Sequence, residues 1–157
     1  MNDEKPPNRE LDEGPWFKQL WFAGNHSDIG GSYPENESRL SDVALEWMVT
    51  QAKKAGLIVD EVYLRLFPRH AGRQHDECRT GVSLLGLKFK WREHNRKMLE
   101  NATLHPSVVD RFREERVLIY DEELPYRPAL LAKHQDFEAI YSREADEKSR
   151  SALATPS

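Results

Sequence analysis

His26 and Asp28 stand two positions apart in Gly24-Asn25-His26-Ser27-Asp28-Ile29-Gly30-Gly31-Ser32-Tyr33, directly after the apolar run Leu20-Trp21-Phe22-Ala23. Polar groups at the exit of a buried strand are where sheet proteins place active sites. A histidine there can take and return a proton near neutrality, because its unperturbed pKa is about 6.5. Asp28 could hold the tautomer of that ring, or tie down its own loop by accepting backbone N–H groups. Gly30 and Gly31 permit positive φ and close backbone approach. Spacing leaves two readings open, a proton-transfer histidine and a histidine that caps a loop, since His-x-Asp is a common pattern.

Three other groups carry chemistry-bearing residue types. His70, His75 and Cys78 are zinc-ligand types in one polar stretch, but their spacing matches no standard zinc pattern and a fourth ligand is missing nearby. That stretch reads as a solvated loop, and no metal is expected. Lys88-Phe89-Lys90-Trp91-Arg92 alternates basic and aromatic residues, as surfaces for nucleic acid or anionic lipid do. In a chain of net charge −4 it reads instead as an edge strand guarded by lysines. Serine nucleophiles of α/β-hydrolases sit in Gly-x-Ser-x-Gly at a strand-to-helix elbow, and this sequence contains no such motif. Gly81-Val82-Ser83-Leu84-Leu85-Gly86 is one residue too long, Ser27 has no glycine two positions before it, and Ser107 follows a proline at a helix start.

The elements that must position these groups follow from periodicity. Phe17 to Ala23 reads as a strand covered on both faces, and Asn25 to Arg39 as a loop. Leu40 to Ala55 reads as a helix, with Leu40, Ala44, Trp47, Met48, Gln51, Ala52 and Ala55 recurring at helical spacing. Ser41 suits its N-cap, Lys53 and Lys54 its last turn, and Gly56 the position just beyond. A short second helix over Asp60 to Phe67 should end at Pro68. Val82 to Trp91 suits a half-exposed strand, and Arg92 to Leu99 could extend a helix. Pro106 opens a helix through Phe112, and Tyr126 to Leu131 is extended.

Composition sets the outer bounds. The 157 residues make at most one domain, and 38% hydrophobic content with mean hydropathy −0.78 is low for a self-sufficient core. The near balance of charge argues against a nucleic-acid partner. No run approaches the roughly 18 apolar residues of a membrane span, and the charged residues 1–13 do not form a signal peptide. A single cysteine, Cys78, fits a reducing compartment. Residues 1–13 read as a flexible lead and 142–157 as a disordered tail, leaving an ordered region over 14–141.

Trp21-Phe22-Ala23-Gly24-Asn25-His26-Ser27-Asp28-Ile29-Gly30-Gly31-Ser32-Tyr33, followed by Leu40-Ser41-Asp42-Val43-Ala44-Leu45-Glu46-Trp47-Met48, resembles a bacterial and fungal α/β-hydrolase family that includes the catalytic domain of type VI secretion phospholipase effectors. His105-Pro106-Ser107-Val108-Val109-Asp110-Arg111-Phe112 and Tyr126-Arg127-Pro128-Ala129-Leu130 resemble its closing motifs. The resemblance spans about Trp16 to Leu131. It implies an α/β fold, the C-terminal portion of an α/β-hydrolase sheet with packing helices. It implies that His26 is the triad histidine, which comes last in the order serine, acid, histidine. Asp28, Ser27, Gly30 and Gly31 then shape its loop, with Asp28 as the alternative histidine partner. Asn25 stands where many members have an apolar residue, and Ser32 where many have a third glycine.

The resemblance also implies that the nucleophile, the oxyanion hole and the triad acid lie before residue 1. A truncated chain, a split or degraded gene, and a fragment that pairs with another chain all fit. The expected function is therefore the histidine-bearing part of a serine phospholipase or esterase domain, inactive alone, acting on a lipid or ester without cofactor or metal. Its expected partner is the missing N-terminal half. Synthesis in the cytoplasm with export by type VI secretion is the expected location. The competing class is a non-catalytic interaction module.

Overall fold

A computed structural model describes residues 17–76, 78, 82–84, 87–89 and 97–153. The expected flexible lead, Gly14 to Trp16, Gly81, Gly86 and the Lys90-Trp91-Arg92 end of the basic–aromatic stretch lie outside the described residues.

The chain enters along Phe17 to Ala23. The strand expected there is reduced to one parallel bridge, Trp21 opposite Leu104. Trp21 N donates to the Thr103 carbonyl at 3.0 Å, and His105 N donates to the Trp21 carbonyl at 2.9 Å. Only this short segment lies alongside it among the described residues, so the ladder stops at one rung. The stretch read as a loop over Asn25 to Arg39 holds two short helices: α1, His26–Gly30, and a 3-10 turn, Glu35–Glu37. Local capping, described below, is strong enough to wind α1 despite its glycines.

α2 spans Arg39–Lys54, close to the helix expected over Leu40 to Ala55. Its N-cap is Ser38 rather than Ser41. Arg39 pairs with Asp42 at 3.1 Å and with Glu35 at 3.1 Å, which adds a turn before Ser41. The C-terminal reading holds in detail. Gly56 N bonds Lys53 O at 2.9 Å, Leu57 N bonds Ala52 O at 2.9 Å, and Gly56 has φ of 95°, the pattern of a Schellman cap. Leu40 to Ala44 are buried against α1, whereas Met48 on the expected apolar face is 57% exposed. The expected helix over Asp60 to Phe67 is only a turn at residues 61–63, because the Asp60 carboxylate takes Val62 N at 2.9 Å in a local turn of its own.

Beyond the loop at residues 69–76, β1 (Val82–Leu84) pairs antiparallel with β2 (Leu87–Phe89), Val82 opposite Phe89. Residues 97–99, read as a helix extension, are not helical. α3, Pro106–Arg113, starts with its proline at the first turn, as expected. β3 (Val117–Ile119) and β4 (Glu122–Leu124) form a second antiparallel hairpin, and Gln74 adds a parallel bridge to Ile119. Tyr126 to Pro128 is extended, but residues 129–133 wind into a 3-10 turn.

α4, Glu138–Leu153, corrects the reading of 142–157 as a disordered tail through Leu153; residues 154–157 lie outside the description. Tyr141 Oη donates to the Pro128 carbonyl at 2.8 Å and Arg127 Nε meets Glu144 Oε1 at 2.9 Å, so the first turns are held. Arg, Glu, Ala and Lys then carry the exposed turns by propensity. The core comprises Ala23, Val108, Phe112, Val117, Tyr126, Leu131 and Phe137. It joins the segment before α1 to α3, the second hairpin and the start of α4. No described helix is long and apolar enough to cross a membrane.

Candidate functional site

The site is built on the end of the entering segment. Gly24 has φ of 117°, and a Cβ there would lie 2.5 Å from Asp28 Cβ. Only glycine lets the chain turn this closely past the aspartate. Asn25 then caps α1: its Oδ1 accepts from Ser27 N and Asp28 N, each at 2.8 Å. Asp28 Oδ2 returns the bond by accepting from Asn25 N at 3.1 Å. This reciprocal capping box satisfies donors that a helix start leaves orphaned. At the other end Gly31 N donates to the Ser27 carbonyl at 3.0 Å, with φ of 75°. Gly30 does not need its missing side chain, since a Cβ there meets nothing within 4 Å.

His26 is the first residue of α1 and is exposed, while Ser27 and Asp28 are buried. The imidazole that the Asp28 carboxylate holds is His75. His75 Nδ1 lies 2.7 Å from Asp28 Oδ1, and His75 N donates to Asp28 Oδ2 at 3.1 Å. On the far side of the ring, Nε2 lies 3.0 Å from Glu37 Oε2. His75 thus faces two carboxylates with its two ring nitrogens, Asp28 on one side and Glu37 on the other. Its hydrogen bond holds the Glu37 carboxyl below the usual range, and Arg73 adds to that effect. Tyr33 stacks on the His75 ring with centroids 3.6 Å apart, and Asn25 Nδ2 donates to Tyr33 Oη at 3.1 Å. The resulting clamp joins α1, the 3-10 turn and the loop at residues 73–76.

That loop is held in turn by Arg111, a fully buried side chain of α3. Arg111 Nη1 donates to the carbonyls of His70 and Gly72, each at 2.7 Å. Its guanidinium lies 5.0 Å from the centre of the Tyr126 ring. Burial lowers the pKa of Arg111 and pushes the Tyr126 hydroxyl up to about 12. Gln74 N donates to the Leu118 carbonyl at 3.0 Å, and Tyr120 N donates to the Gln74 carbonyl at 2.8 Å. These bonds place His75 beside Asp28.

The other expected groups are dispersed. His70 Nε2 pairs with Glu114 at 2.6 Å, His75 is in the clamp, and Cys78 N bonds the Asp76 carboxylate at 2.9 Å. Among the described residues no three His, Cys, Asp or Glu side chains converge as metal ligands would. Ser107 Oγ lies 2.8 Å from His105 Nδ1, and the same nitrogen accepts Ser107 N at 3.3 Å, which makes the pair a helix cap. His105 stacks on Phe22, just before the site, at 4.6 Å, and burial lowers its pKa.

Sequence reasoning missed His75, Glu37 and Arg111 as parts of the site. By residue type His75 belongs with the metal-ligand group of its loop, and Arg111 lies within the His105 to Phe112 motif.

A family model for the catalytic domain of Tle1-like phospholipase effectors of the type VI secretion system matches residues 1–51. The match includes Asn25 to Tyr33 and most of α2. An uncharacterized protein of Saccharomyces cerevisiae is 39% identical over 46 residues, covering 27% of this chain and 7% of the yeast protein. No solved structure matches the chain.

Proposed function

We propose that this chain supplies the histidine-bearing, C-terminal portion of an α/β-hydrolase catalytic domain that cleaves a lipid ester. The observation that carries the reading is an exposed His26 on a rigidly capped turn, within the segment that matches the phospholipase effector model. In this reading His26 takes the proton of a serine nucleophile and returns it to the leaving alcohol. Ser27, Asp28, Gly30 and Gly31 belong to its loop, and Asp28 positions that loop through His75. The serine comes from outside this sequence, which has no Gly-x-Ser-x-Gly. Asp28 itself is engaged by His75. Neither metal nor cofactor enters this chemistry. Export through a type VI secretion system belongs to the same proposal.

The test is hydrolysis of a fluorogenic ester by this chain alone and after co-expression with a polypeptide carrying the serine elbow. The expected result is no turnover alone, turnover by the pair, and its loss in His26→Ala. Turnover by the isolated chain that His26→Ala abolishes would refute the division of labour. Turnover by the pair that survives His26→Ala would refute the role of His26.

A second reading, a non-catalytic module that docks on another polypeptide, is favoured by the segment after α2. Ile58 is 94% exposed, Tyr63 84% and Val62 76%, an apolar display larger than scattered surface residues explain. Stable binding of an elbow-bearing partner without any gain of turnover would select it.

A further inference from the structure

The cleft between the Glu35–Glu37 turn, the loop at residues 69–73 and the β3–β4 hairpin gathers four arginines: Arg39, Arg69, Arg73 and Arg116. Its volume is about 380 Å³, and Glu37 and Glu123 are the carboxylates on its wall. Two of the four already have partners. Arg39 pairs with Glu35 and Asp42, and Arg73 with Glu37, Asp121 and the Tyr120 carbonyl. Arg69 and Arg116 are exposed and have no ion pair among the described residues. The paired arginines are thus held in place by the fold, while the other two have donors to offer a ligand.

We propose that this cleft binds a phosphate monoester, with Arg69 and Arg116 as direct ligands and the ion-paired Arg39 and Arg73 as the fixed wall behind them. The planar fork of a guanidinium matches two phosphate oxygens at once, and two such forks suit a dianion better than a carboxylate. The cleft is at the small end of the range for ligand pockets, about 300–1,000 Å³, which suits a compact, highly charged group. Glu37 links the cleft to the His75 clamp, so two side chains, Glu37 and His75, separate the ligand from the loop that presents His26. The binding proposal itself does not rest on the esterase reading.

Phosphorus NMR of inorganic phosphate titrated with the full chain tests it, at constant ionic strength set with chloride. Flotation with phosphatidylcholine vesicles, with and without phosphatidic acid, identifies the source. The expected result is saturable one-to-one binding of phosphate, weakened about tenfold by either Arg69→Gln or Arg116→Gln, which corresponds to about 1.4 kcal/mol each. Both residues are exposed, and unchanged circular dichroism confirms that the variants fold. Arginine-dependent binding of both phosphate and phosphatidic acid vesicles supports the site with a lipid headgroup as source. Binding of free phosphate alone supports it with a soluble phosphoester as source. Absence of saturable phosphate binding overturns the proposal. So does equal affinity in the Arg69→Gln/Arg116→Gln double variant, or vesicle binding without phosphate binding, which marks diffuse attraction to an anionic surface.

Discussion

Asp28→Asn is the perturbation that isolates the clamp. Asp28 is 3% exposed, and its carboxylate accepts from Asn25 N at 3.1 Å, His75 N at 3.1 Å and His75 Nδ1 at 2.7 Å. Hydrogen bonds to a charged group contribute about 1.5–3 kcal/mol each. Asparagine keeps the shape and one acceptor oxygen, but it turns an amide N–H₂ toward a donor and removes the charge. One bond is lost outright and the others weaken, so the net cost should be about 3 kcal/mol, less than the sum of three full bonds. For a chain of this size that corresponds to a fall in Tm of roughly 6–12 °C. Equilibrium urea unfolding of wild type, Asp28→Asn, His75→Asn and the double variant measures it. The two single changes should be strongly non-additive, with a coupling of about 1–3 kcal/mol, because they break the same contact. Amide exchange at residues 25–28 and 73–76 should rise together in each single variant. Additive effects, or an Asp28→Asn cost below about 0.5 kcal/mol, would refute the claim that His75 and Asp28 hold the loop in place.

Gly24→Ala should cost about 2 kcal/mol or more, since it combines a φ of 117° with a Cβ 2.5 Å from Asp28 Cβ, whereas Gly30→Ala should stay within about 0.5 kcal/mol; thermal unfolding of the pair checks both. Arg111→Met should lower stability by about 3–5 kcal/mol and raise amide exchange along residues 70–75, because it strips donors from the buried His70 and Gly72 carbonyls. High pH should act through Tyr126, whose hydroxyl is pushed by burial from 10.0 to about 12. A folded pKa above the unfolded one means that the folded state holds the proton more tightly. Its contribution is therefore complete below about pH 10 and falls away as pH rises toward about 12. Tyrosinate absorbance should show late-titrating tyrosines in the wild type, and Tyr126→Phe should flatten the loss of stability in that window.

The local features of this protein were legible in its residues because they are decided within a few positions along the chain. Gly56 ends α2, Pro106 opens α3, and Asp28 accepts a backbone N–H of its own loop; each depends on groups one to four residues apart. Tertiary structure decided which histidine the Asp28 carboxylate serves. His75 lies 47 residues away, and spacing cannot choose between imidazoles whose distance is set by chain closure. It also decided the use of Arg111, whose carbonyl partners at His70 and Gly72 come from a loop that looked merely solvated. The helix over residues 142–153 belongs to the same class, because its hold on the core depends on Tyr141 reaching Pro128 and Glu144 reaching Arg127. Caps and periodicity determine where a turn forms, whereas the partner of a buried charge is known only once distant segments have met.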